Sequence, residues 1–91
     1  MMKLIFQELA EDDFNNIQAH MSDLMIDGII STFVYKGVAP GTMYVSYEFK
    51  DETAKISIER DCMEFFVEIV AGRYVISFSV ERHHISHIII E

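Results

Sequence analysis

The chain has 91 residues, 51% of them hydrophobic, which is enough apolar material for one core and too little length for two. Its 15 acidic residues outnumber 7 Lys and Arg to leave a formal charge of -8, a balance that repels nucleic-acid phosphates and anionic membrane surfaces and favours basic protein partners. Cys62 is the only cysteine, so an intrachain disulfide and the stapled secreted class are excluded.

The segment Met1-Met2-Lys3-Leu4-Ile5-Phe6 has a short apolar run and no small-residue cleavage site, so no secretory signal is expected. No window approaches the roughly 20 apolar residues of a membrane span. The expected protein is one cytoplasmic domain over residues 1–91.

In chain order, Leu4 to Leu9 reads as a short strand or the lead into a helix. From Phe14 the apolar positions Ile17, Met21, Leu24 and Met25 follow the period of one helical face. Glu11, Asp12 and Asp13 suit the positive end of the helix dipole and Gly28 is a stop, which predicts a helix over 11–27. Its apolar stripe, Met21 and Met25 included, is read as packing on a sheet.

Beyond Gly28 the period is two. Ile29 to Lys36, Thr42 to Lys50, Thr53 to Arg60, Met63 to Val70, Tyr74 to Glu81 and Ile85 to Ile90 alternate as strands. A four-residue loop at Val38-Ala39-Pro40-Gly41 sets Val34 opposite Val45. Two-residue loops at Asp51-Glu52, Asp61-Cys62 and Ala71-Gly72 pair Phe49 with Ala54, Ile58 with Phe65 and Ile69 with Tyr74, and set Glu48 opposite Lys55. The expected fold is α+β: an N-terminal amphipathic helix packed on one face of a five- to six-stranded antiparallel meander. Val45, Ile56, Ile58, Phe65, Val67, Ile76 and Phe78 form the covered face.

Chemistry-bearing motifs are sparse. His83, His84 and His87 have the proximity of metal ligands, with Glu81 nearby, yet strand alternation turns His84 away from the other two. Cys62 stands beside Asp61, whose charge disfavours a thiolate. The phosphate-loop, G-x-S-x-G, C-x-x-C and H-E-x-x-H patterns are absent, so no catalytic residue, cofactor or metal is assigned.

The face opposite the helix is expected to carry Tyr44, Phe66 and Val75, with Phe33, Tyr35 and Ile88 as further members, among Glu48, Glu59, Glu64, Glu68 and Glu81. Aromatic anchors ringed by carboxylates suit a basic protein surface. Tyr44, Glu48, Glu59, Glu64, Phe66 and Glu68 are therefore the expected partner-binding residues. The class implied is a small acidic inhibitor that occludes a basic enzyme, such as an immunity protein, an antitoxin or a phage-encoded inhibitor. Its rivals are a self-associating assembly module, forming a homodimer, and a metal-binding protein using the C-terminal histidines.

Overall fold

A computed structural model describes residues 2–91. Strand β1 (Met2–Ala10) leads into helices α1 (Glu11–His20) and α2 (Ser22–Ile26), which together fill the span expected of one helix. The interruption at Met21 coincides with Ser22, whose hydroxyl donates to the Ala19 carbonyl at 2.8 Å, a local bond that competes with regular helix. The first backbone N–H of α1 has no side-chain cap; Glu11 donates instead to the Gly41 carbonyl at 3.1 Å.

Strands β2 (Ile30–Lys36), β3 (Thr42–Phe49), β4 (Lys55–Asp61), β5 (Glu64–Ala71), β6 (Tyr74–Glu81) and β7 (His84–Ile90) follow. They form two antiparallel sheets, not one meander: a three-stranded sheet in the order β1-β3-β2 and a four-stranded sheet in the order β4-β5-β6-β7. The fold is thus α+β and sheet-dominated, and the expected continuous sheet beneath a single helix is corrected.

The division falls at residues 50–54. Both the N–H and the hydroxyl of Thr53 donate to Asp51, at 2.8 and 2.7 Å, and Ala54 N–H donates to the Asp51 carbonyl at 3.1 Å. These bonds close a corner on itself where a hairpin would have continued the ladder. Phe49 therefore does not pair with Ala54, and Glu48 meets Lys3 of β1 at 3.5 Å in place of Lys55.

Val34 stands opposite Val45, as the four-residue loop requires. In the second sheet the two-residue turns are Cys62-Met63, Gly72-Arg73 and Arg82-His83, with Asp61 opposite Glu64, Ala71 opposite Tyr74 and Glu81 opposite His84. The first residue of each turn has positive φ, which at Gly72 (57°) costs no Cβ clash. Relative to the expected pairing, partners in β4–β5 and β5–β6 move by two residues: Ile58 faces Val67, and Phe65 faces Val80. A two-residue slip preserves the face, so the apolar alternation survives.

The inner face of the first sheet carries Val45, Tyr47 and Phe49, all fully buried. Ile17, Met21 and Leu24 of the helices, also fully buried, belong to the same core. Tyr47 donates its hydroxyl to Gln18 Oε1 at 2.7 Å, and Thr32 donates to Met25 Sδ at 3.2 Å, tying both helices to this sheet. The second sheet contributes Val67, Ile69, Ala71, Ile76, Phe78 and Ile85 to that core, with Phe78 reaching Phe6 at a ring separation of 5.9 Å. Bulges in β1, between Phe6 and Leu9, and in β7, between Ser86 and Ile89, each add one residue and re-aim the strand beyond it. Leu9, just past the first bulge, is buried, as is Ile85, which pairs with Val80 ahead of the second.

Ile56, Ile58 and Phe65 depart from the expected core: they share its sheet face but are 36, 56 and 39% exposed. Register explains Phe65, which is carried past Phe78 to the end of the sheet. At the other end of the helical layer, Asp27 accepts from Arg73 at 2.9 Å and from the Tyr74 hydroxyl, a bond that with the Arg73 charge holds its carboxyl below the usual range.

Two outcomes follow. Urea unfolding should show a loss of about 3–5 kcal/mol for Phe49→Ala, the usual cost of emptying an aromatic site in a core, and a distinctly smaller loss for Phe65→Ala. For Asp27 the folded-state pKa is depressed, so its contribution is present above the unfolded value near 3.8 and lost as pH falls through the lower folded value. Asp27→Asn should therefore destabilise at neutral pH and approach the parent's stability at strongly acidic pH.

Candidate functional site

The outer face of the second sheet is organised in cross-strand rows that follow from its register. One row runs Ser57, Glu68, Ser77 and Ile89; the next runs Glu59, Phe66, Ser79 and Ser86; the third runs Asp61, Glu64, Glu81 and His84. In the third row three carboxylates stand opposite one another on neighbouring strands. Like charges at directly opposed positions destabilise a sheet, so this arrangement is one that packing alone does not favour. His84 ends the row and is drawn away by Asp13 of α1, at 2.8 Å from its Nδ1.

A shallow groove of about 680 Å³ crosses this face. Hydroxyl-bearing Ser57, Ser77 and Ser79 line it together with Phe66, and Glu59, Glu64 and Glu68 supply its charge. His87 and Ile89 close the β7 side. Ser79 is buried, whereas Phe66 is 42% exposed and Ile89 52%, so apolar side chains are left available among the groove's polar groups. His87 reaches the groove because it is the bulge residue of β7, with φ of 55°, and its Nδ1 lies 3.0 Å from the Ser86 hydroxyl.

Four of the six residues singled out from the sequence, Glu59, Glu64, Phe66 and Glu68, come together in this groove. Tyr44 and Glu48 do not join them, because β3 belongs to the other sheet. Tyr44 stacks obliquely on Tyr35 at 5.5 Å, beside a patch in which Ile5 and Phe33 flank Ser46, and Glu48 is engaged by Lys3. The two outer faces expected to be one surface are thus two surfaces.

The three serines, His87 and Ile89 line the groove without being expected there from the sequence, and Asp61 joins the carboxylate row beside it. Asp61 and Glu81 join the carboxylate row only in the observed register, and His87 points there only because of the bulge.

The histidines are dispersed. His83 lies in the β6–β7 turn 4.0 Å from Glu8, His84 engages Asp13, and His87 faces the groove. Among the described residues no three His, Cys, Asp or Glu side chains are grouped to hold a metal ion. Cys62 is exposed in the β4–β5 turn, where its carbonyl accepts from Arg60 at 3.1 Å. Among the described residues no helix is long and apolar enough to cross a membrane.

Compared with protein-family models, curated proteins and solved structures, the chain gives no match.

The opposed carboxylates make a direct prediction. Glu64→Gln removes the central charge of the third row and should raise the urea midpoint at low ionic strength. The gain should shrink in high salt, where screening already weakens the repulsion.

Proposed function

We propose that the chain is a binding protein that recognises a basic macromolecular partner on the outer face of the β4–β7 sheet and inhibits it by occlusion. The observation that carries this reading is the juxtaposition of Asp61, Glu64 and Glu81 in one row beside a groove with Phe66 exposed in it. A row of like charges lowers stability in isolation and is relieved when Lys or Arg side chains of a partner approach. Phe66 supplies the apolar contact that carboxylates lack, and the serine hydroxyls accept or donate hydrogen bonds as a partner's polar atoms require.

Attraction between a chain of charge -8 and a basic cleft accelerates encounter, and the carboxylates then stand where a polyanionic substrate would place its phosphates. An immunity protein, an antitoxin or a phage-encoded inhibitor of a nucleic-acid enzyme would use this physics. Tyr44 and Glu48 are not part of the proposed contact.

The test is a nuclear magnetic resonance titration at low salt with a short peptide alternating Arg with an apolar residue. The expected shifts are confined to Phe66, Glu68, Ser77, Ser79 and their neighbours, with Phe66→Ala weakening binding at every salt concentration. Glu64→Gln with Glu68→Gln should weaken it most when salt is low. Shifts centred on the acidic first turn of α1, or none, would reject the groove as the site.

A further inference from the structure

Strand β4 is exposed at every one of its seven residues, and its free edge offers unpaired backbone groups. On the core-side face of the same strand Ile56 and Ile58 are 36 and 56% exposed, next to Phe65 at 39% and Met63 of the adjoining turn at 59%. The helices do not reach this end of the sheet, so an apolar strip runs along an open edge. Scattered charges on an edge strand ordinarily deter pairing. The order of the charges on β4 has a different consequence, because it is complementary to itself.

We infer that a second copy of this chain pairs antiparallel with β4, about a two-fold axis at Ser57, joining two four-stranded sheets edge to edge. In that register Ile56 faces Ile58 of the partner copy, and Ile58 faces its Ile56. On the opposite face Lys55 meets Glu59 of the partner copy, and Glu59 meets its Lys55. The apolar pairs lie on the core side, continuous with Phe65, and the ion pairs lie on the groove side.

Neighbouring registers lack this match. Centring the pair on Ile58 sets Ile56 against Arg60, and centring it on Glu59 sets that carboxylate against itself. Arg60 is already occupied, with its guanidinium 5.6 Å from the Phe65 ring centre, and lies beyond the matched stretch.

The backbone agrees. In a two-residue hairpin the residues flanking the turn form a hydrogen-bonded pair, here Asp61 and Glu64, and the pattern alternates along the ladder. Lys55, Ser57 and Glu59 thus direct their main-chain bonds to β5, while Ile56 and Ile58 direct theirs to the open edge. The proposed register pairs the very residues whose N–H and C=O groups are free. Charge also permits it: the chain carries -8, but Lys55 and Arg60 balance Glu59 and Asp61 within β4. This is a neutral seam through which two acidic molecules can meet.

Sedimentation equilibrium from about 1 μM to about 1 mM, the range of modest interfaces, tests it. The mass should rise from 10.6 kDa towards twice that value. Lys55→Glu sets Glu against Glu at both ends of the seam and should weaken the dimer at least about tenfold, a difference of about 1.4 kcal/mol. Adding Glu59→Lys to it restores both ion pairs and should return the affinity to near that of the parent. Ile58→Asp should abolish association, with far-ultraviolet circular dichroism confirming that each variant is folded.

A chain that stays monomeric throughout would overturn the proposal and leave the edge open to a strand of another protein. A dimer indifferent to Ile58→Asp, or one that the double exchange fails to restore, would overturn it equally.

Discussion

Helical cover is scarce: among the described residues, seven strands stand beside helices of only 10 and 5 residues. Ile17, Met21 and Leu24 are fully buried, and around them close Val45, Tyr47 and Phe49 from one sheet and Ile69, Ala71 and Ile76 from the other. Burial of these side chains supplies the main driving force for folding. What lies beyond the reach of the helices stays open. That is the reason β4 is bare and Phe65 is 39% exposed.

Alternation carried most of what could be read in advance. The helical stripe from Phe14 to Met25, the strands from Thr42 onwards and the faces of Val67, Ile76 and Phe78 follow from periods of 3.6 and two, which are properties of local backbone geometry. Register is less local. Placing Gly72 second in its turn, where it in fact stands first with positive φ, shifts the partners of β5 and β6 by two residues while leaving their faces intact. The glycine was itself the available clue, since a two-residue turn that opens with positive φ favours Gly at that point.

The split into two sheets was beyond the reach of alternation. A hairpin at Asp51-Glu52 and a corner closed by Asp51 on Thr53 have nearly the same local composition, and what separates them is whether the following strand finds cover against β3 or elsewhere. The candidate site inherited that ambiguity. Glu59, Glu64, Phe66 and Glu68 lie together because they share one sheet, whereas Tyr44 and Glu48 would join them only through the pairing that the corner prevents. The place of His87 in the groove is not legible in the sequence, because a bulge reverses alternation and nothing in Ser86-His87-Ile88 announces one.

The groove and the bare edge are consequences of the same shortage of cover, but they make different demands on a partner. The groove is anionic and its carboxylates are opposed across strands, while the edge is balanced in charge and apolar. A basic macromolecule is the partner proposed for the first, and a second copy of the chain is the one proposed for the second. Since one edge of the groove is Glu59 of β4, pairing along that strand would set the two grooves side by side on one extended face.

The groove face is the surface proposed to meet a partner. Carboxylate footprinting with a water-soluble carbodiimide and an amine addresses it most directly, comparing the free chain with its complex captured from the source cell. Occupancy of the groove predicts that Glu59, Glu64 and Glu68 lose reactivity in the complex while Glu11, Asp12 and Glu52 remain labelled. Protection of the latter three with the groove still reactive would contradict the account.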